Sequence, residues 1–288
     1  MENQPKTYRL GLDIGGTKMS AVLLDDNQVV ESARLATPRD NIKNFLIMLK
    51  ALMEPLIERT KRDGRDLQSL GLGIAGTIDY HKKIVTASPN LELVCDIKIL
   101  DKIRALLALD IPFYLDNDAS CFTRAEALLG AGKTFNEVYG ITIGTGIGGA
   151  LAINGQIYNG AHGGAGEPGA LLVDLEEKIT LEQAYQKLTQ NNSRLLAQEA
   201  YEGDPLAGQI FLELGEYLGL VFANIVNIVD PGIIIIGGGT AGSSDLFLST
   251  ARRAMVNHIE SPQARKIKIV KAKLGDNAGA IGAALLDR

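Results

Sequence analysis

The chain has 288 residues, 46% of them apolar, and carries a formal net charge of −5. That length and apolar content can bury a large core and divide most simply into two domains, while the negative balance and the lack of a Lys/Arg run exclude a nucleic-acid surface, which needs cations to displace counterions. Residues 1–8 are polar and hold no apolar leader, and the longest uncharged helical stretch, 217–229, is shorter than the ~18–20 residues that a bilayer requires, so no membrane partner is expected.

Three β-like runs come first, at 8–14, 18–24 and 28–36. From 41 to 62 the apolar residues Phe45, Met48, Leu49, Leu52, Met53, Leu56 and Ile57 recur at three- and four-residue steps, which predicts an amphipathic helix kinked at Pro55. A short buried strand, 70–74, ends in Ala75-Gly76-Thr77. A second helix, 99–109, leads into a strand at 113–115, then Asp116-Asn117-Asp118-Ala119 and a helix over 119–129. Alternating strands and helices of this kind favour a mixed α/β sheet.

At Val138 the order restarts with a strand, the glycine tip Gly144-Thr145-Gly146, a strand to 153 and a tight Asn154-Gly155 turn. The first unit has the same tip at Gly15-Gly16-Thr17-Lys18, and such turns expose amides that bind oxyanions, so two tips suit the clamping of a polyphosphate. Helices over 181–200 and 206–229, a strand at 232–236, the triplet Gly237-Gly238-Gly239 and a small-residue helix at 277–286 complete the chain.

The glycine tips are not the familiar nucleotide motifs. Residues 144–149 match GxGxxG, but a strand follows where a dinucleotide fold needs a helix. Gly11 and Gly16 have Walker A spacing, yet Thr17-Lys18 reverses the required order. Asp118 has two readings. An aspartate at a helix start ordinarily caps it, whereas Asp118 beside Asn117 also suits a base that accepts a hydroxyl proton from an aligned alcohol.

Taken in order, Leu12-Asp13-Ile14-Gly15-Gly16-Thr17-Lys18, Ser88-Pro89-Asn90-Leu91, Asn117-Asp118-Ala119, residues 144–149, Ala165-Gly166-Glu167 and Gly275-Asp276-Asn277-Ala278-Gly279 resemble the ROK (repressor, open reading frame, kinase) sugar kinases of the actin/hexokinase-like superfamily. The resemblance implies a two-domain α/β fold of the ribonuclease H-like type with an interdomain cleft, its domains at 1–118 and 119–275, and a C-terminal helix, 276–288, packing back on the first. It implies transfer of the γ-phosphoryl group of ATP, with Mg²⁺, to a hexose hydroxyl, usually that at C6, of a glucose-like sugar. Asp118 would be the general base, and Asn90, Asn117, Glu167 and Glu182 would bind the sugar. Asp13 would hold the metal through water; Gly15, Gly16, Thr17, Lys18, Gly144, Thr145 and Gly146 would face the phosphates; and Gly237, Gly238 and Gly239 would lie beside the nucleoside. A homodimer is what relatives suggest.

The chain departs from the family pattern in one place. Relatives continue after the glutamate with Ile-Gly-His and a cysteine-rich loop that holds zinc, whereas Pro168-Gly169-Ala170 and a cysteine-free stretch, 171–180, stand here, so no zinc site is expected. Ala170 occupies the position of a sugar-contacting histidine, and His162 is read as a loop residue. Fructose, mannose, allose and N-acetylhexosamines therefore stay open as substrates, and a non-catalytic sugar- or nucleotide-binding sensor derived from a kinase and an actin-like ATPase stay open as alternative functions. Two cysteines outside any CxxC pair, Cys95 and Cys121, fit a cytoplasmic protein.

Overall fold

The computed structural model describes residues 7–288; residues 1–6, part of the polar start read from the sequence, lie outside the described residues. The first half is built from β1 (Tyr8–Ile14), β2 (Lys18–Asp25), β3 (Gln28–Ala36), α1 (Ile42–Asp63), β4 (Leu67–Ile74), β5 (Thr77–Asp79), β6 (Ile84–Ala87), α2 (Ile99–Leu107), β7 (Phe113–Asn117) and α3 (Asp118–Leu128). The second contains β8 (Glu137–Ile143), β9 (Ile147–Ile153), β10 (Gln156–Ile157), β11 (Leu172–Asp174), β12 (Ile179–Thr180), α4 (Leu181–Thr189), α5 (Ser193–Tyr201), α6 (Pro205–Val229), β13 (Ile233–Gly237), α7 (Leu248–Asn257) and β14 (Lys268–Lys271), and the chain ends with α8 (Ala278–Ala284).

Two five-stranded sheets share one plan. In the first, ordered β3-β2-β1-β4-β7, β3, β2 and β1 pair antiparallel and β1, β4 and β7 parallel. In the second, ordered β10-β9-β8-β13-β14, β10, β9 and β8 pair antiparallel and β8, β13 and β14 parallel. The restart of element order read at Val138 is therefore a repeat of topology.

The described residues form two compact units, the first from residues 7–130, 159–165 and 274–288, the second from 131–158 and 166–273. The boundary falls after Gly130, not at residue 118, because α3 is bound into unit 1 by backbone contact. A Cβ on Gly282 of α8 would lie 1.7 Å from the Cys121 carbonyl oxygen, and one on Gly73 of β4 would lie 2.9 Å from the Cys121 sulfur. Small residues let α8, α3 and the sheet approach to backbone distance. Gly11 and Gly71, paired across β1 and β4, meet the carbonyls of Ala280 and Ala283 in the same way.

Each unit has its own core. In unit 1 the buried face of α1, with Phe45, Leu49, Leu52, Met53 and Leu56, packs on Leu10, Leu12 and Ile14 of β1. Asn41 caps α1, whose helix runs unbroken through Pro55 to a left-handed Gly64 (φ 63°). In unit 2, α6 buries Phe211, Leu214, Leu218, Val221 and Phe222 against Ile141, Ile234 and Ile236. This helix is 25 residues long, longer than the stretch after Glu216, and is long and apolar enough to cross a membrane by length and composition, with half of its most apolar window buried in the protein.

Two local expectations change. The helix predicted over 181–200 is two helices, because Gln190 and Asn191 both adopt positive φ (49° and 60°) and Asn192 caps the second. Beyond the turn read at Ala75-Gly76-Thr77, residues that were given no element form the β5–β6 hairpin, too short for alternation to show.

Candidate active site

At the end of β7 the chain turns into α3 and separates the duties of two neighbouring residues. Asn117, not Asp118, is the N-cap: its Oδ1 accepts the amides of Ala119 at 2.8 Å and Ser120 at 3.1 Å. Its Nδ2 donates to the Gly76 carbonyl at 2.9 Å. One amide hydrogen of Asn117 is left for a ligand, so the residue offered as a sugar binder is first a structural clamp. Asp118, in the first turn of α3, is released from capping. Burial holds its carboxylate above the ordinary range, against the opposing hydrogen bonds from the amides of Ala119 and of Asp118 itself.

Asp13 lies on the same sheet face. The register aligns Arg34, Ser20, Asp13, Gly73 and Asp116 in one row across β3, β2, β1, β4 and β7. Burial first, then the charge of Asp118, pushes the Asp13 carboxyl up to about 7, while Lys18 and Arg34 pull it down. Among the described residues none donates a hydrogen bond to Asp13. A half-buried carboxylate that lacks a donor and is repelled by another fits a hard cation, which Mg²⁺ would supply together with phosphate oxygens and waters. Lys18 and Arg34 converge on Asp276 at 3.9 and 2.8 Å. Neither Arg34 nor Asp276 was singled out from the sequence for a role, since an arginine on an edge strand reads as solvated surface.

The tip between β1 and β2 exposes fewer amides than the sequence suggested. Gly15 N–H closes the hairpin onto the Lys18 carbonyl at 3.0 Å, which leaves the amides of Gly16 and Thr17 without a partner among the described residues. Gly16 also admits Asn90, whose Cβ would lie 2.6 Å from a Cβ at position 16. The Asn90 turn is held by Ser88, whose hydroxyl donates to the Ala75 carbonyl at 2.6 Å. Unit 1 thus brings together Asp13, Gly16, Thr17, Asn90, Asn117 and Asp118, with Lys18 exposed beside Asp276.

The tip between β8 and β9 follows the same rule. Gly144 N–H bonds the Gly146 carbonyl at 2.9 Å, and the amides of Thr145 and Gly146 are the open ones among the described residues. Gly238, with φ +84° and the Ile143 carbonyl 2.4 Å from where a Cβ would stand, lets Gly237-Gly238-Gly239 lie directly beside this tip. The Tyr185 hydroxyl contacts the Gly144 carbonyl at 2.8 Å and Thr240 Oγ1 at 2.7 Å, tying the tip to the segment after the triplet. Tyr185 and Thr240 were missed, because an aromatic at helical spacing reads as core.

The remaining carboxylates flank the turn at Pro168–Ala170. Glu182, at the start of α4, lies against Gly146 and Gly169 (3.0 and 3.1 Å from their Cβ positions) and accepts from Gln186 at 3.1 Å. Glu167 precedes the turn on the surface, close enough to Tyr139 to help raise its phenol pKa. Ala170 is exposed, as is His162 on its loop. After Ala170 the chain forms the β11–β12 hairpin, with Asp174 accepting the amides of Glu176 and Glu177, both at 2.9 Å.

The duplicated sheets with paired tips are those of the actin/hexokinase-like sugar kinases. The chain belongs to the ROK family, whose sequence pattern matches residues 9–288. It is similar to the glucokinase of Thermotoga maritima, at 26% identity over 313 residues and 97% of each chain. It is also similar to the N-acetylgalactosamine kinase of a Shewanella species, at 26% identity over 303 residues, 96% of this chain and 95% of the relative. The crystal structure of a ROK family glucokinase from Streptomyces griseus, in complex with glucose and AMPPNP, matches with a TM-score of 0.81 and 26% identity, covering 97% of this chain and 98% of that one.

Proposed function

We propose that this protein is an ATP-dependent hexose kinase that phosphorylates the C6 hydroxyl of a glucose-like sugar. The observation that carries the reading is the division of labour at the β7–α3 turn, where Asn117 caps the helix and leaves Asp118 half-buried with its carboxylate basicity raised. In this reading the hydroxyl oxygen attacks the γ-phosphorus, the bond to the β,γ-bridging oxygen breaks, ADP leaves, and the proton passes to Asp118. A carboxylate with a raised pKa takes that proton more readily than an ordinary one.

Asn90, the spare hydrogen of Asn117, Glu167 and Glu182 are assigned to sugar hydroxyls. Each such pairing rejects an epimer that would leave a buried polar group unmatched. The open amides at 16, 17, 145 and 146, with Gly15, Lys18 and Gly144 shaping the tips, are assigned to the phosphates, and Gly237, Gly238 and Gly239 to the nucleoside. Mg²⁺, when bound, neutralises phosphate charge, and Asp13 would hold it through water. The reading carries with it a cytoplasmic enzyme and a homodimer, the latter checked by sedimentation.

Asp118→Asn is the direct test. It keeps the shape of the turn and removes the base, so hexose-dependent ADP release should fall about 10²–10⁴-fold with the melting temperature preserved; turnover near the parent rate would refute the assignment. The Shewanella relative is named for an N-acetylated sugar, so the substrate screen should span glucose, mannose, fructose, allose and both N-acetylhexosamines.

A further inference from the structure

We propose that Tyr80 is a positioning residue for this reaction, a single phenol that fixes both the turn carrying Asp118 and the 159–165 loop that leads to Glu167. The inference rests on the kinase reading.

At the turn, Tyr80 works through Asp116. This carboxylate is 3% exposed and collects the Tyr80 hydroxyl at 2.8 Å, the Asn117 amide at 2.8 Å and an Arg124 guanidinium NH2 at 3.3 Å. Arg124 supplies the countercharge through a single, longer contact, and its buried Nε has no hydrogen-bond partner among the described residues. The two short bonds complete the solvation that a buried carboxylate requires beside its countercharge. One of them comes from the backbone of the residue immediately before Asp118. Burial and the charge of Asp116 push the Tyr80 phenol far up, so it stays protonated and remains a donor throughout the working pH range.

At the loop, the same side chain supplies a floor. Gly163 has φ +77°, and a Cβ there would stand 3.0 Å from Tyr80 Cε2 and 3.2 Å from the Ile78 carbonyl, so the loop backbone rests on the ring. The Asn159 carboxamide lies 3.4 Å from the phenol oxygen. The partner atom is Asn159 Oδ1, and since the single phenolic proton goes to Asp116 at the shorter distance, this contact is the secondary one. The anchored segment ends at Ala165, and Gly166 then leads into Glu167. Tyr80 itself is held at the end of β5, where Asp79 Oδ1 accepts the amides of His81 and Lys82 at 3.0 and 2.9 Å.

Tyr80→Phe separates the two roles, because it keeps the ring under Gly163 and deletes the hydroxyl. In the full-length enzyme, kcat/KM for the preferred hexose should fall about tenfold, while KM for ATP stays unchanged. Asn159→Ala, which touches only the loop side, should raise the hexose KM and leave kcat near the parent value. Hydrogen–deuterium exchange of the ligand-free protein gives a readout that does not depend on turnover: Tyr80→Phe should speed exchange at 117–120 and 159–165 together. Unchanged hexose kinetics, or faster exchange confined to 79–84, would overturn the proposal. If the parent phosphorylates no hexose, the kinase reading fails, and the exchange data still decide whether Tyr80 links the two segments.

Discussion

A displacement of one residue determines what Asp118 is free to do. Had the aspartate been the cap, its oxygens would be committed to the open amides of α3; with Asn117 in that place they keep only the contacts from the amides of Ala119 and of Asp118 itself. The residue types were legible in the sequence, but the division between cap and base was not, because Asn and Asp serve equally at a helix start and only the dihedral angles of the turn decide. Asp13 gives a pH-dependent test at the same scale. Its folded-state pKa of about 7 lies above the ordinary carboxylate value near ~4, so between those limits the folded chain keeps a proton that the unfolded chain has released. Stability of the nucleotide- and metal-free protein is therefore lost as pH rises from about 4 to 7 and is level above that. Asp13→Asn removes this slope, so its melting temperature should gain on the parent between pH 4.5 and 8, while activity with MgATP is lost. A gap that stays constant across that range would contradict the burial and repulsion assigned to Asp13.

Among the elements, the hairpin tips show how local closure limits binding. Both tips were readable from glycine spacing, yet each uses its first glycine amide to close the turn, which spacing cannot reveal because it depends on where the carbonyls of Lys18 and Gly146 come to lie. Helix α8 was likewise visible as a run of small residues, but the reason for the run lay in partners distant in sequence. Gly282 crosses the backbone of α3 so closely that no side-chain rotation could admit a methyl group. Gly282→Ala should cost about 1–3 kcal/mol or more, read as a fall in the denaturation midpoint. The same substitution at Gly242, which has open space around it, should leave that midpoint within experimental scatter. The break between α4 and α5 was passed over because apolar residues recur on both sides of it, at 181–188 and 195–197, although the polar run 189–194 separates them and Gln190 and Asn191 reverse the backbone there.

Across the whole molecule, the duplicated plan was inferred from order rather than similarity, and the sheets bear this out strand by strand. Topology tolerates divergence that erases identity, since any apolar strand satisfies the core. The segment after Glu167 gives a prediction at this scale. It folds as a hairpin closed by Asp174 and contains neither cysteine nor histidine, and among the described residues no group of three or more His, Cys, Asp or Glu could hold a metal. Stripping the enzyme with a chelator and returning it to Mg²⁺ alone should restore full activity, with an unaltered melting temperature. A requirement for added zinc would show that the hairpin does not suffice.

Because α8 covers the Gly11 and Gly71 strip while all of unit 2 precedes it in the chain, the order of synthesis sets an order of maturation. During translation the second unit has every strand it needs before residue 274 is made, whereas the first must wait with a bare furrow across β1 and β4. Of the two units, the one begun first is thus the last to be sealed.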